Sequence, residues 1–241
     1  MSQGFDVRRD GAIARVTLNC PDAGNMLTLA AVAELARAVR DAGADSAVKA
    51  IVLRGQGADF CRGRDPAGAP EGKATTAVEM RAALIEPILG LYRAIRDAAV
   101  PVVAVTQGAV RGLGCGVTAV CDVAIAAEGA RFALPEMKAN LPPTLAMLAH
   151  LDRVPSKALL WMVLSTGEID ARQALAWGLI SSVAPAAELD AQAEAFVKGL
   201  VAFDRDAVAT CKAYLQRARQ ADYGTANDLA GNLLSVVLSS R

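Results

Sequence analysis

The sequence predicts an α/β fold built on a mostly parallel sheet. Three short apolar runs, at residues 50–53, 102–105 and 123–126, indicate buried strands. Longer stretches between them repeat their apolar residues at the 3.6-residue spacing of a helix. This alternation favours parallel strands with right-handed crossovers, in which ligands bind beyond the carboxyl ends of the strands.

A β-hairpin is predicted at the amino end. Alternating residues indicate strands over residues 5–9 and 12–19. Asp10 and Gly11, which separate them, suit the positive backbone angles of a tight turn. Because the apolar residues of the second strand fall on one side, we expect that side to be covered.

Helices are expected after the hairpin and after the next strand. Thr28 can cap a helix over residues 29–42, and Gly43 is expected to end it. A second helical pattern, over residues 75–97, contains Pro87. Since proline cannot donate the helical hydrogen bond, it should kink this helix or divide it in two.

The carboxyl-terminal part is expected to be nearly all helix. Helical patterns cover residues 145–152, 156–165, 171–177, 188–203, 207–220 and 225–239. Val236, Val237 and Leu238 lie close to the chain end. Such apolar residues predict docking, either on the main domain or on another subunit.

Composition and charge exclude several classes of protein. Lys plus Arg and Asp plus Glu number 25 each, so no overall field favours nucleic acid or an anionic membrane. The five cysteines lack CxxC spacing, and their odd number favours reduced thiols. Carboxylates and cysteines do not gather at ligand spacing, so no metal is expected. Without a signal-like or membrane-length apolar run, the protein is expected to be soluble and cytoplasmic.

A glycine-rich stretch gives the first chemical signal. The glycines lie between the strand at 102–105 and a short helix: Gly108, Gly112, Gly114 and Gly116. Backbone N–H groups crowded at such a turn, beside a helix terminus, can hold an oxyanion. The spacing is neither that of a dinucleotide fingerprint nor that of a phosphate loop. A tight turn that only lets a helix pack on the sheet is the alternative.

Few side chains offer chemistry. His150, the single histidine, has no nucleophile motif around it, and we expect a core or surface residue. Glu136 precedes apolar and proline-rich sequence, where burial would raise its pKa and make it a useful base. The alternative for Glu136 is a solvated loop residue paired with Lys138. Arg62 and Arg64 can either hold phosphates or be solvated.

Several segments, in order, resemble the crotonase, or enoyl-CoA hydratase/isomerase, superfamily. They are RGQGADFCRGRD (54–65), VPVVAVTQGAVRGLGCGVTAVCDVAIAAEGARFALPE (100–136) and ARQALAWGLISSVAP (171–185), and CPDAGNMLT (20–28) resembles the family's loop near coenzyme A. The resemblance implies a spiral of ββα units. It also implies that residues 1–187 form the core with an acyl-CoA site. Residues 188–241 would be a helical region that forms homotrimers, often stacked as hexamers.

The resemblance also implies roles for individual residues. The backbone N–H groups of Arg64 and Leu113 would hold the thioester carbonyl of the acyl-CoA substrate, and Glu136 would be the catalytic base. The implied substrate-binding positions are Ala23, Arg62, Gly63, Asp65 and Gly112. The coenzyme A thioester is then the substrate, and no metal or redox cofactor is implied.

One position departs from the family's hydratases. They carry a glutamate where this sequence has Gly116, so one of the two carboxylates that deliver water is missing. Glu136 alone can still move a proton between two carbons, as in the family's Δ3-Δ2 enoyl-CoA isomerases. We therefore expect an enoyl-CoA isomerase. Hydration or hydrolysis without the second carboxylate, and acyl-CoA binding without catalysis, are the alternatives.

Overall fold

The computed structural model describes residues 4–67 and 76–239 of the 241-residue chain. Its strands are β1 (Phe5–Asp10), β2 (Ile13–Leu18), β3 (Ala50–Gly55), β4 (Val102–Thr106), β5 (Ala109–Arg111), β6 (Val123–Ala127), β7 (Arg131–Ala133), β8 (Ile169–Asp170) and β9 (Ser182–Ala184). Its helices are α1 (Leu29–Ala44), α2 (Ala77–Met80), α3 (Glu86–Asp97), α4 (Leu113–Val120), α5 (Thr144–His150), α6 (Ser156–Ser165), α7 (Ala171–Ala176), α8 (Leu189–Ala202), α9 (Arg205–Ala218) and α10 (Tyr223–Ser239).

Two sheets organise the described residues. The larger has the strand order β1-β2-β3-β4-β6-β9, and only the β1–β2 pair is antiparallel. The smaller has the order β5-β7-β8. The prediction of an α/β fold with a mostly parallel sheet is therefore confirmed. Strands β5 and β8 were not predicted, because two or three residues are too few to show a periodicity.

The predicted hairpin is present. Strands β1 and β2 pair in register around a turn in which Gly11 has a φ of 56°. Ala14, Val16 and Leu18 on β2 are buried in the main core, as the alternation predicted.

The start of helix α1 was predicted correctly, but its end was not. The Thr28 side chain accepts a hydrogen bond from the amide of Ala31, which caps the helix as predicted. Gly43 does not end the helix, which continues to Ala44. A Cβ atom at Gly43 would lie 3.2 Å from the Cβ of Ala98, so this glycine allows close packing rather than a turn.

Pro87 divides the second predicted helix. It lies in the first turn of α3, where a missing N–H costs nothing. The preceding residues, Arg81–Ile85, form a π-helical turn that joins α2 to α3. Thr75, the predicted first residue, lies outside the described residues, and α2 begins with a capping box on Thr76.

The large sheet is buried on both faces. On β3 and β4, alternate residues enter two different hydrophobic clusters. Helices α1 and α3 cover one face, with Leu35 and Ile95 among the fully buried residues. Helix α8 covers the other face through Leu189, Ala193 and Val197. This double burial explains why the strands are nearly continuous apolar runs.

The last two helices form a pair at one side of the core. Val236 and Leu238 on α10 are 65% and 60% exposed, so they do not dock on the chain's own main domain. Val237 is half-buried and faces a cavity that α9 also lines. Their association with another subunit stays a prediction. In the part of the chain that the structure describes, no helix is long and apolar enough to cross a membrane.

Candidate active site

The loop after β3 is held between two neighbouring segments. On one side, the amide of Cys61 donates to the carbonyl of Ala109 (3.2 Å), and the amide of Arg111 donates to the carbonyl of Cys61 (2.9 Å). On the other side, Leu27 forms a parallel bridge with Arg64. Backbone contacts on both sides therefore hold the loop that carries Gly63, Arg64 and Asp65 in place.

The bridge with Leu27 orients the Arg64 amide. The Leu27 amide donates to the carbonyl of Gly63 (3.2 Å), and the Asp65 amide donates to the carbonyl of Leu27 (2.8 Å). Because successive amides of an extended chain point in opposite directions, the Arg64 N–H points away from Leu27. It has no hydrogen-bond acceptor among the described residues.

The Leu113 amide is also unpaired. Leu113 is the first residue of α4, whose cap Gly112 has a φ of 50° and provides no side-chain oxygen. The first N–H groups of a helix have no intrahelical acceptor. No described residue accepts from the Leu113 N–H either. Two free amides therefore flank the contact between the 61–65 loop and the start of α4.

The glycines allow this contact. Cβ atoms built on Gly55, Gly108 and Gly114 would overlap with the backbone carbonyls of Phe60, Ala58 and Cys61 respectively. Gly108 and Gly112 lie in the turn, as predicted, but Gly114 and Gly116 lie inside α4. These two glycines serve close approach rather than turn geometry.

Glu136 lies beside the contact between the 61–65 loop and the start of α4. A Cβ atom on Gly112 would be 2.9 Å from Oε1 of Glu136 and 4.0 Å from Cα of Gly63. The side chain is half-buried, and its Oε2 is buried without a hydrogen-bond partner among the residues that the structure describes. Burial raises the pKa of Glu136, and a backbone hydrogen bond opposes the rise only in part. Among the described residues it forms no ion pair, so the alternative of pairing with Lys138 is not observed.

The other predicted binding residues lie around the 61–65 loop. Arg62 pairs with Asp59 at 2.7 Å, and its amide donates to the carbonyl of Gly24 (2.9 Å). Ala23 is exposed in the neighbouring 3-10 turn. Asp65 accepts a hydrogen bond from the amide of Ala67 (2.8 Å). The Arg62 side chain is 53% exposed.

Two residues that support the site were missed from the sequence. Asn25 joins the 20–25 loop to the segment after β3; the family resemblance marked this loop but assigned the asparagine no structural role. Tyr92, on α3, places its hydroxyl against Gly116, where a Cβ atom would overlap with the hydroxyl oxygen. Because Tyr92 and Gly116 are 24 residues apart in sequence, local periodicity identifies Tyr92 only as a core position.

His150 is a core residue, as one of its two interpretations predicted. Its Nδ1 lies 2.6 Å from the carbonyl oxygen of Ala146, and its Nε2 lies 3.3 Å from Sγ of Cys115. Burial lowers the pKa of His150 to about 4. The imidazole is therefore neutral and lies behind α4.

Comparison with known proteins agrees with this geometry. The family model for enoyl-CoA hydratase/isomerase matches residues 8–237. The chain is 30% identical over 224 residues to the short-chain-enoyl-CoA hydratase of Clostridium acetobutylicum, covering 91% of this chain and 84% of the relative. It is 32% identical over 180 residues to the 2,3-dehydroadipyl-CoA hydratase of Escherichia coli, covering 74% and 68%. The crystal structure of an enoyl-CoA hydratase from Mycobacterium smegmatis matches with a TM-score of 0.91 and 31% identity, covering 98% and 91%.

The fold match and the family match together identify a crotonase-type protein. The chain belongs to the enoyl-CoA hydratase/isomerase family. The resemblance found in the sequence and the crotonase-like fold class are both confirmed. The named relatives are hydratases, and they act on different acyl groups.

Proposed function

We propose that the protein moves the double bond of an enoyl-CoA thioester, with Glu136 as the only base. Glu136 removes a proton from C2 of a 3-enoyl-CoA, and the electron pair spreads onto the thioester oxygen. Glu136 then returns the proton to C4, so that the double bond lies between C2 and C3. No atom is gained or lost.

The free amides of Arg64 and Leu113 support this proposal. An enolate oxygen between them would accept two hydrogen bonds from donors that are already fixed by the backbone. Removing one such donor typically costs about 3 kcal/mol of transition-state stabilisation. In the proposed complex, Ala23, Arg62, Gly63, Asp65 and Gly112 contact the coenzyme A or thioester part of the substrate. No further cofactor takes part.

The observation that carries the proposal is that position 136 is a glutamate while position 116 is a glycine. Glu136 has a free, buried carboxylate oxygen and a raised pKa, as a general base requires. Gly116 offers no second carboxylate to position water. The names of the relatives favour hydration as the second candidate. That reaction would require the water to be held without a carboxylate at position 116.

Incubation with a 3-enoyl-CoA and, separately, a 2-enoyl-CoA in heavy water tests the proposal. We expect deuterium exchange and double-bond migration of the 3-enoyl substrate, without addition of water. Glu136→Gln should lower the rate by about 10³-fold while affinity for the CoA ester is retained. Glu128→Gln, at an exposed position, is the matched control and should leave the rate unchanged. Water addition to the 2-enoyl substrate without isomerisation would contradict the proposal.

We also propose that copies of the chain assemble as a homotrimer or hexamer through residues 188–241. The exposed Leu234, Val236 and Leu238 on α10 support this assembly. Light scattering at micromolar concentration tests it, and a monomeric mass would contradict it.

A further inference from the structure

The Tyr92 hydroxyl has no hydrogen-bond partner in the described part of the protein. Tyr92 lies on α3 and is 4% exposed. Among the described residues no side chain or backbone group forms a hydrogen bond with its hydroxyl. The hydroxyl is not among the described side-chain atoms that are both fully buried and unpaired, so it borders open space at the end of an otherwise buried side chain. Water, or a substrate bound beside Gly116, can therefore act as its hydrogen-bond partner.

The hydroxyl faces the same helix as the Glu136 carboxylate. Gly112 and Gly116 are one helical turn apart, and the amide of Gly116 donates to the carbonyl of Gly112 (3.0 Å). Glu136 lies against Gly112, and Tyr92 lies against Gly116. Side chains at such spacing start about 5–6 Å apart. The two groups therefore approach the glycine face of α4 from neighbouring positions.

We propose that Tyr92 takes the place of the missing second carboxylate and restricts the site to proton transfer. Its ring and hydroxyl fill the space that a side chain at position 116 would need. The hydroxyl gives the bound acyl group one neutral hydrogen-bond donor. This inference rests on the proposed function, since it names the residue that determines which reaction Glu136 carries out.

The chemistry of the Tyr92 phenol explains why the site would transfer a proton but not add water. Water addition needs a base that takes the water proton and an acid that protonates the adjacent carbon. Burial, and to a lesser extent the nearby Glu136 carboxylate, raises the pKa of Tyr92, so the phenol stays protonated and cannot be the second base. The same rise makes it a weak acid. Tyr92 can thus orient the substrate by a hydrogen bond but cannot complete the addition of water.

A steric test needs no substrate. Gly116→Ala places a Cβ atom on the Tyr92 hydroxyl and should lower the melting temperature by about 5 °C or more. In a Tyr92→Leu background the same substitution should cost clearly less. Gly199→Ala, on α8 where a Cβ atom meets nothing within 4 Å, is the matched control and should not destabilise. Equal losses in both backgrounds would overturn the proposal, because Tyr92 would then not occupy that space.

A reaction test addresses the restriction itself. Tyr92→Phe keeps the ring and should lower isomerisation about fivefold to tenfold, the value of one neutral hydrogen bond, without gain of water addition. Tyr92→Leu combined with Gly116→Glu should raise water addition to a 2-enoyl-CoA at least about tenfold above the wild type. Tyr223→Phe, at an exposed position, is the control.

The outcomes separate this inference from the proposed function. If Gly116→Glu alone, with Tyr92 intact, gains the same water addition, or if Tyr92→Phe keeps the full rate, the role of Tyr92 is refuted. If the wild type does not isomerise a 3-enoyl-CoA, the proposed function fails. The melting-temperature cycle would still decide whether Tyr92 occupies the space beside Gly116.

Discussion

The thiol of Cys115 lies 3.3 Å from Nε2 of His150, and both side chains are fully buried. The Nδ1 atom of His150 lies 2.6 Å from the carbonyl oxygen of Ala146, which can only accept a hydrogen bond. Nδ1 therefore carries the proton, and Nε2 accepts from the thiol. Since Cys115 lies between Gly114 and Gly116 on α4, this pair packs behind the glycine face of that helix.

This arrangement predicts an acid sensitivity of the fold. The pKa of His150 is 6.5 in the unfolded chain and about 4 in the folded protein. The unfolded state therefore binds the proton first as pH falls, and stability is lost between about pH 6.5 and 4. From pH 7 to pH 5 the expected loss is about 2 kcal/mol in the free energy of unfolding, measured by urea denaturation.

His150→Gln provides the comparison for this prediction. The variant should be less stable at pH 7 but should lose less stability than the wild type between pH 7 and pH 5. The raised pKa values of Glu136 and Asp122 act in the opposite direction and are common to both proteins. An identical pH dependence in the two proteins would show that His150 does not titrate as the structure implies.

The sequence predicts what depends on short-range pattern. The bounds of α6 were predicted to the residue, and Thr28 was identified as the cap of α1, because caps and apolar spacing are local signals. Gly43 was misassigned because a glycine that ends a helix and one that allows packing look alike in sequence. Tyr92 was missed because its role depends on contact with Gly116 on α4, which lies 24 positions later in the sequence.

Asn25 should prove necessary for the binding loop. Its φ is 54°, and its side chain accepts from the amide of Cys20 (3.0 Å) and donates to the carbonyls of Gln56 (2.9 Å) and Asp59 (2.8 Å). Asn25→Ala leaves three partly buried backbone groups without this partner and should cost about 2–4 kcal/mol in urea denaturation. Asp22→Ala, at an exposed position in the same loop, should be nearly neutral. A loss below about 1 kcal/mol for Asn25→Ala would contradict this assignment.

Glu136 should determine how the rate of the reaction falls at acid pH. Only the ionised carboxylate can accept the substrate proton, so kcat/KM should fall as pH falls through the pKa of Glu136. Because burial raises that pKa, the midpoint should lie above the ordinary value of 4.5. The measurement is a pH–rate profile with a 3-enoyl-CoA, with stability checked at each pH. A midpoint at or below 4.5 would mean that the Glu136 carboxylate is solvated in the free enzyme.

A buried ion pair links α9 to the core. Lys212, with a side chain 7% exposed, lies 2.7 Å from Asp122. Its ammonium also donates to the carbonyls of Ile95 (3.1 Å) and Val100 (3.2 Å). Asp122 in turn accepts from the amide of Val102 (2.8 Å) at the start of β4. One lysine therefore joins α9 to the end of α3 and to the loop before the central strand.

Removing this lysine should destabilise the protein because it leaves a buried carboxylate without its cation. Lys212→Met should cost about 3 kcal/mol in the free energy of unfolding. Adding Asp122→Asn should restore part of that loss, since the unpaired charge disappears with it. Lys198→Met, at an exposed position on α8, is the control and should change stability little. If Lys212→Met costs no more than this control in urea denaturation, α9 is held by its apolar contacts rather than by the ion pair.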